Sequence, residues 1–204
     1  MNKLKCLIFD FDGVIVDSFD AAYKIAHTPL KVENKSNFRG LFNGSIANTI
    51  QSKLSSREYA SFFNSYATML DSVQIVPGIA EVIQKVSQDY LRAIISSTTS
   101  SSINKFLKTH KLEKYFAEIL GIDDGPSKEE KIRELLQTHN IATKDCLMIT
   151  DTVGDIVEAK QAGVLTIGVT WGYHDEQMLK SKNPTALAHT PADLTQLITD
   201  LLPL

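Results

Sequence analysis

Short apolar runs rich in branched residues punctuate the chain at residues 4–9, 91–96, 117–121, 146–150 and 164–169. Runs of this length and composition predict buried strands. Between them the apolar period changes. Ile79, Val82, Ile83 and Val86 recur at i, i+3, i+4 and i+7, as do Leu194, Leu197, Ile198 and Leu201, and Ile132, Leu135 and Leu136 give a shorter version. Such spacing gathers apolar side chains on one helix face. Strands alternating with helices predict an α/β fold, a Rossmann-like parallel sheet core covered on both faces.

The 64 residues from Gly13 to Val76 break that alternation, because they hold helical stretches but no convincing strand. They predict a small inserted α-helical cap over residues 17–76, with residues 1–16 and 77–204 forming the α/β core. Ser55 and Glu58 have the spacing of a capping box, and Tyr59, Phe62, Phe63, Tyr66 and Leu70 then give one apolar face. An aromatic stripe of this kind is expected to be core. Pro77 and Gly78 mark the return to the main body.

Composition narrows the function. With 204 residues, 43% of them hydrophobic, the chain can bury a sizeable core, and only residues 31–37 and 180–186 are polar enough to suggest weak order. A net charge of -3 argues against a nucleic-acid or anionic-membrane surface, which needs clustered Lys and Arg. Asp10 and Asp12 interrupt the apolar N-terminal run before a signal-peptide core or a spanning helix can form, so a cytoplasmic protein is expected. Cys6 and Cys146 both fall in predicted buried strands and read as structural thiols.

The chemistry concentrates at strand ends. In LKCLIFDFDGVIVDS, residues 4–18, two carboxylates project from the end of an apolar strand on one face, and Gly13 lets the chain turn after them. Buried neighbouring carboxylates raise each other's pKa and need a cation, a shared proton or hydrogen bonds. Asp10, Ser96 and Asp151 all fall at the carboxyl ends of predicted strands, where parallel sheets bind ligands.

Four segments in order, DFDGV with Asp10 and Asp12, Ser96 at the end of IIS, Lys128, and TDTVGD with Asp151 and Asp155, resemble the haloacid dehalogenase-like hydrolases. GVTWGYH, residues 168–174, is similar to their phosphoglycolate-phosphatase-like branch. The resemblance implies a Mg²⁺-dependent phosphatase acting on a small phosphorylated metabolite. Asp10 is then the nucleophile and Asp12 the general acid and base, and Asp10, the Asp12 carbonyl and Asp151 hold the metal. Gly13, Ser96, Ser97, Thr98 and Lys128 are expected around the phosphate, with Asp155 orienting the lysine. Lys131 competes with Lys128, since PSKEEK lacks the lysine-proline pair usual in this branch. Thr99 to Ser102 read as a solvated loop and helix N-cap.

Thr150 stands where relatives often carry Gly or an acid, which removes a carboxylate that could support the metal. An acid at position 12 argues against a dehalogenase. A sugar phosphomutase of the same family remains the alternative enzyme, and a phospho-accepting signalling domain or phosphate-binding domain the alternative of another class. The five histidines share no metal-ligand spacing, and Trp171 reads as a packed loop aromatic. Arg39, Lys35 and Asn43 are the polar cap candidates for substrate contact, against the expectation that such residues are solvated. A monomer or weak homodimer is expected.

Overall fold

The computed structural model describes residues 4–86 and 90–203. Its strands β1 (Cys6–Phe9), β2 (Leu91–Ile95), β3 (Glu118–Leu120), β4 (Cys146–Thr150), β5 (Leu165–Val169) and β6 (Ala186–Ala188) form one sheet in the order β3-β2-β1-β4-β5-β6. Every neighbouring pair is parallel. Alternation sorts the side chains by face. Leu7, Phe9, Ile94, Leu147 and Ile149 enter one buried cluster, and Cys6, Ile8, Ala93, Ile95, Cys146 and Met148 enter another. Both thiols are free and fully buried side by side, Cys6 opposite Cys146 in the ladder.

The helices of the insertion are α1 (Phe19–Ala26), α2 (Lys35–Gly40), α3 (Ile46–Lys53) and α4 (Ser56–Leu70). Those that cover the sheet are α5 (Ile79–Lys85), α6 (Ser100–Thr109), α7 (Lys128–Thr138), α8 (Val153–Gln161), α9 (Glu176–Lys180) and α10 (Pro191–Leu201). The chain leaves and re-enters the body through a short paired neck. Asp17 N–H donates to Gln74 O at 3.0 Å and Val76 N–H to Ile15 O at 2.9 Å. The capping box on α4 forms, with Ser55 Oγ facing the Glu58 N–H and the Glu58 carboxylate accepting from Ser55 N–H at 2.9 Å.

Two polar stretches are better ordered than their composition suggests. In residues 31–37, Lys31 turns in the left-handed region at φ 53° and Asn34 caps α2, accepting from Asn37 N–H at 2.9 Å. In residues 180–186, α9 ends and β6 begins; Thr185 and Thr166 exchange backbone-to-hydroxyl hydrogen bonds of 3.1 and 3.3 Å that dock this edge. Strand β6 escapes the sequence pattern because three residues, two of them alanine, carry no readable alternation.

Candidate active site

The site lies where the chain crosses from β1 outward to β2 and back to β4, at the carboxyl edge of the sheet. Asp10 N–H still donates to Ile149 O at 2.9 Å, so the sheet itself fixes that residue. The next residues wind into one tight turn, with the N–H groups of Ile15 and Val16 both donating to Phe11 O. Gly13 takes φ +73° within it, and a Cβ there would stand 1.9 Å from Asp151 Oδ2. Gly172 approaches the same carboxylate from the other side, where a Cβ would meet Oδ2 at 2.3 Å. Gly13 thus makes room for Asp151, and it is not among the residues that wall the cavity.

One lysine joins two of the acids. Lys128 Nζ lies 2.9 Å from Asp10 Oδ2 and 2.7 Å from Asp155 Oδ2, and Thr150 Oγ1 donates to the same Asp155 oxygen at 2.7 Å. Burial alone would neutralise Lys128, but Asp10 and Asp155 outweigh it and hold the ammonium charged. Burial pushes Asp10 well above the usual carboxylate range, Lys128 opposes this, and Asp155 and Asp151 add to it. Asp155, also pushed up by burial, is pulled below its ordinary value by Lys128 and its hydrogen bonds.

Lys131 takes another position. Its Nζ donates to Ser96 O at 2.9 Å and Gly121 O at 2.6 Å, bracing the loop after β2 from behind. Burial, then the charge of Lys128, lowers its pKa to about 8. Of the two lysines, only Lys128 faces the cavity.

Asp12 sits in a ring of hydroxyls. Its Oδ1 accepts from Ser18 Oγ at 2.7 Å and Tyr66 Oη at 2.6 Å, and its Oδ2 accepts from Thr98 Oγ1 at 2.7 Å. The Ser18 proton is committed to Asp12, so the 3.0 Å contact between Ser18 Oγ and Tyr173 Oη takes its hydrogen from the tyrosine. Ser18, Tyr66 and Tyr173 were not legible as site residues: hydroxyls carry no signal in sequence until the fold brings them to an acid. The Tyr66 member of the α4 stripe is therefore both core and site.

Ser96 is buried, and its Oγ accepts from Thr98 N–H at 3.1 Å; Ser96, Ser97 and Thr98 rim the cavity beneath the start of α6. Asp151 is fully buried. Its Oδ2 accepts from Tyr173 N–H at 2.7 Å, whereas its Oδ1 has no hydrogen-bond partner. Burial raises this carboxyl to about 7, the Tyr173 N–H working against the rise. A buried carboxylate oxygen without a protein donor, with a second high-pKa carboxylate near it, fits a hard cation that takes oxygen ligands. Among the described residues no group of three acidic, His or Cys side chains is placed to hold a metal ion by itself. Mg²⁺ commonly keeps water and substrate oxygens among its ligands and so needs few protein oxygens, of which Asp10 and Asp151 would supply two.

Asp10, Asp12, Ser96, Ser97, Thr98, Lys128, Thr152 and Asp155 form the floor of one cavity, and the helical insertion roofs it. Side chains of the insertion hold the roof down. Arg39 Nε donates to Tyr173 O at 2.8 Å while its guanidinium stacks 4.4 Å over Phe19. His174 is buried; its Nδ1 accepts from Val153 N–H at 3.0 Å, so its Nε2 carries the proton toward Arg39 O at 3.0 Å. Gly154 lets the start of α8 touch the insertion, since a Cβ there would lie 2.4 Å from Gly44 O. Arg39 is thus used in docking, Lys35 pairs with Asp20 in solvent at 2.6 Å, and Asn43 is exposed. Trp171 packs against the core, its Nε1 donating to Val14 O at 3.4 Å.

A parallel sheet with acids at this edge, a buried lysine linking two of them and a helical roof defines a hydrolase class, and a model of that class, the haloacid dehalogenase-like hydrolase, matches residues 7–169. The chain belongs to that family. It is 26% identical over 212 residues to a phosphoglycolate phosphatase of Synechococcus elongatus, covering 98% of this chain and 99% of that protein. It is 24% identical over 213 residues to the pyrophosphatase PpaX of Listeria monocytogenes, covering 98% of both. The solved structure of a predicted phosphatase from Clostridium acetobutylicum shares the fold with a TM-score of 0.81 at 21% identity, over 98% of this chain and 100% of that one. Among the described residues no helix is long and apolar enough to cross a membrane.

Proposed function

We propose that the protein is a Mg²⁺-dependent phosphatase that hydrolyses small phosphate monoesters through an aspartyl phosphate at Asp10. The observation that carries the reading is the Asp10 carboxylate on the cavity floor, 2.9 Å from a charged lysine and two residues from a second carboxylate held by three hydroxyls. Names of relatives, phosphoglycolate phosphatase and pyrophosphatase, support phosphoryl chemistry.

In this reading Asp10 attacks phosphorus, the P–O bond to the leaving group breaks, and water then cleaves the acyl phosphate to return free Asp10. Lys128 neutralises phosphate oxygens, and Asp155 with Thr150 keeps its ammonium aimed at Asp10. Ser96 Oγ and the Ser97 N–H supply further donors. A carboxylate has about four lone-pair directions. Three of those on Asp12 are taken, which leaves one, on Oδ2, to carry a proton. Asp12 enters protonated there, gives that proton to the ester oxygen as the P–O bond breaks, and regains it from the water that attacks the acyl phosphate. Asp10, Asp151 and the Asp12 carbonyl would hold Mg²⁺, which when bound would supply positive charge against the repulsion between nucleophile and phosphate.

Water is the acceptor in this reading, rather than the second hydroxyl of a sugar, because the roof offers almost no polar atom with which to hold a turning intermediate. Phosphate release from p-nitrophenyl phosphate should vanish with chelator and return with Mg²⁺. Full activity in stringently demetallated protein would contradict the metal assignment.

A further inference from the structure

The floor and the roof of the cavity differ in chemistry. The floor holds acids, hydroxyls and Lys128, whereas the roof presents Leu30 from the turn after α1, Phe38 from α2, Ile46 and Ile50 from α3 and Phe62 and Phe63 from α4. A phosphoryl group seated on the floor, with its ester oxygen toward Asp12, sends the leaving group into that roof.

The insertion has cations, but it turns them all away. Lys24, Lys31, Lys35, Lys53 and Arg57 are exposed, and Arg39 is fastened to Tyr173 O and Phe19. Among the described residues none of the six lines the cavity. The two phenol hydroxyls nearby are also spent, that of Tyr66 on Asp12 and that of Tyr173 on Ser18. An anionic leaving group among the roof side chains would lie against hydrocarbon, away from Lys128, which is on the floor and paired with Asp10 and Asp155, and a buried unpaired charge is strongly disfavoured. A polyhydroxylated one would leave its hydroxyls unpaired for the same reason.

We propose that the substrate's leaving group is uncharged and apolar, making the enzyme selective for alkyl or aryl phosphate monoesters. This rests on the phosphatase reading above. It separates the chain from what its relatives' names describe, because glycolate and phosphate are both anionic leaving groups. The selectivity belongs to the roof rather than to the catalytic floor, which would serve any phosphate ester.

A matched pair tests it. 3-Methylbutyl phosphate and 2-carboxyethyl phosphate differ in shape very little, one ending in two methyl groups and the other in a carboxylate. With purified protein and Mg²⁺, kcat/KM should favour the alkyl ester by about tenfold or more, the scale expected when a pocket leaves a polar group unpaired. The non-hydrolysable phosphonates with the same two tails, titrated by calorimetry, should rank alike in Kd. Equal or better turnover and binding of the carboxylate member would overturn the proposal. If neither ester nor p-nitrophenyl phosphate is turned over, the phosphatase reading fails by itself. The phosphonates then still decide: tighter binding of the alkyl member sustains an apolar pocket, and equal or tighter binding of the carboxylate member refutes it.

Discussion

Lys128 and Lys131 stand one helical turn apart and face different partners. The first meets two carboxylates and stays charged, while the second meets only backbone carbonyls, and burial brings its pKa down to about 8 from an ordinary 10.5. Between those two values the unfolded chain holds a proton that the folded chain has released. Stability therefore rises with pH across that window, and the contribution is lost as pH falls through about 8. Urea unfolding of wild-type protein should show this gain, and Lys131→Met should flatten it; an unchanged slope would show that Lys131 is not the titrating group. Tyr66 belongs to the same scale. Tyr66 Oη donates to Asp12, and a residue that orients the acid and base should act on the chemical step. Tyr66→Phe should therefore lower kcat by about tenfold while KM changes little, with at most about 1 kcal/mol lost in unfolding free energy. A fall in midpoint with kcat preserved would make Tyr66 a packing residue only.

Elements were more legible than contacts. The strands β1 and β4 announce themselves because every residue in them is buried, so each reads as an apolar run, while β2, β3 and β5 show through branched residues despite half-buried starts and, in β2 and β3, a charged residue. Helix α4 was legible at its start, since a capping box is a local pattern and needs no tertiary information. Ser55→Ala should cost about 1 kcal/mol in unfolding free energy, with activity near normal; no loss would mean that α4 is held by packing alone. What the α4 stripe faces was not legible. A helical period tells that Phe62, Phe63 and Tyr66 share a side, but the same side covers the core and roofs a cavity. The docking roles of Arg39, which the sequence offered as a substrate contact, and of His174 were not legible for a similar reason. Their partners are backbone atoms of a distant segment, Tyr173 O and Val153 N, and any residue could have supplied them.

At the scale of the molecule, the sheet order places the ends of β1, β2 and β4 side by side, which brings Asp10, Ser96 and Thr152 to one cavity with Lys128 from the start of α7, and leaves Asp151 buried beside it. Asp10 and Asp151 stood out in the sequence because strand-end carboxylates are costly without a purpose, whereas Lys128 and Asp155 were assigned through the family resemblance. The insertion then decides what may enter, and its lining follows from how α1 to α4 pack on one another rather than from any motif. The whole account turns on Asp10 receiving the phosphoryl group. The most direct measurement is rapid acid quench of wild-type and Asp10→Asn protein with Mg²⁺ and a phosphorus-labelled aryl phosphate, followed by peptide mapping. The account predicts transient label on Asp10 in wild type and none in Asp10→Asn. Label on Asp12, or turnover by Asp10→Asn near the wild-type rate, would contradict it.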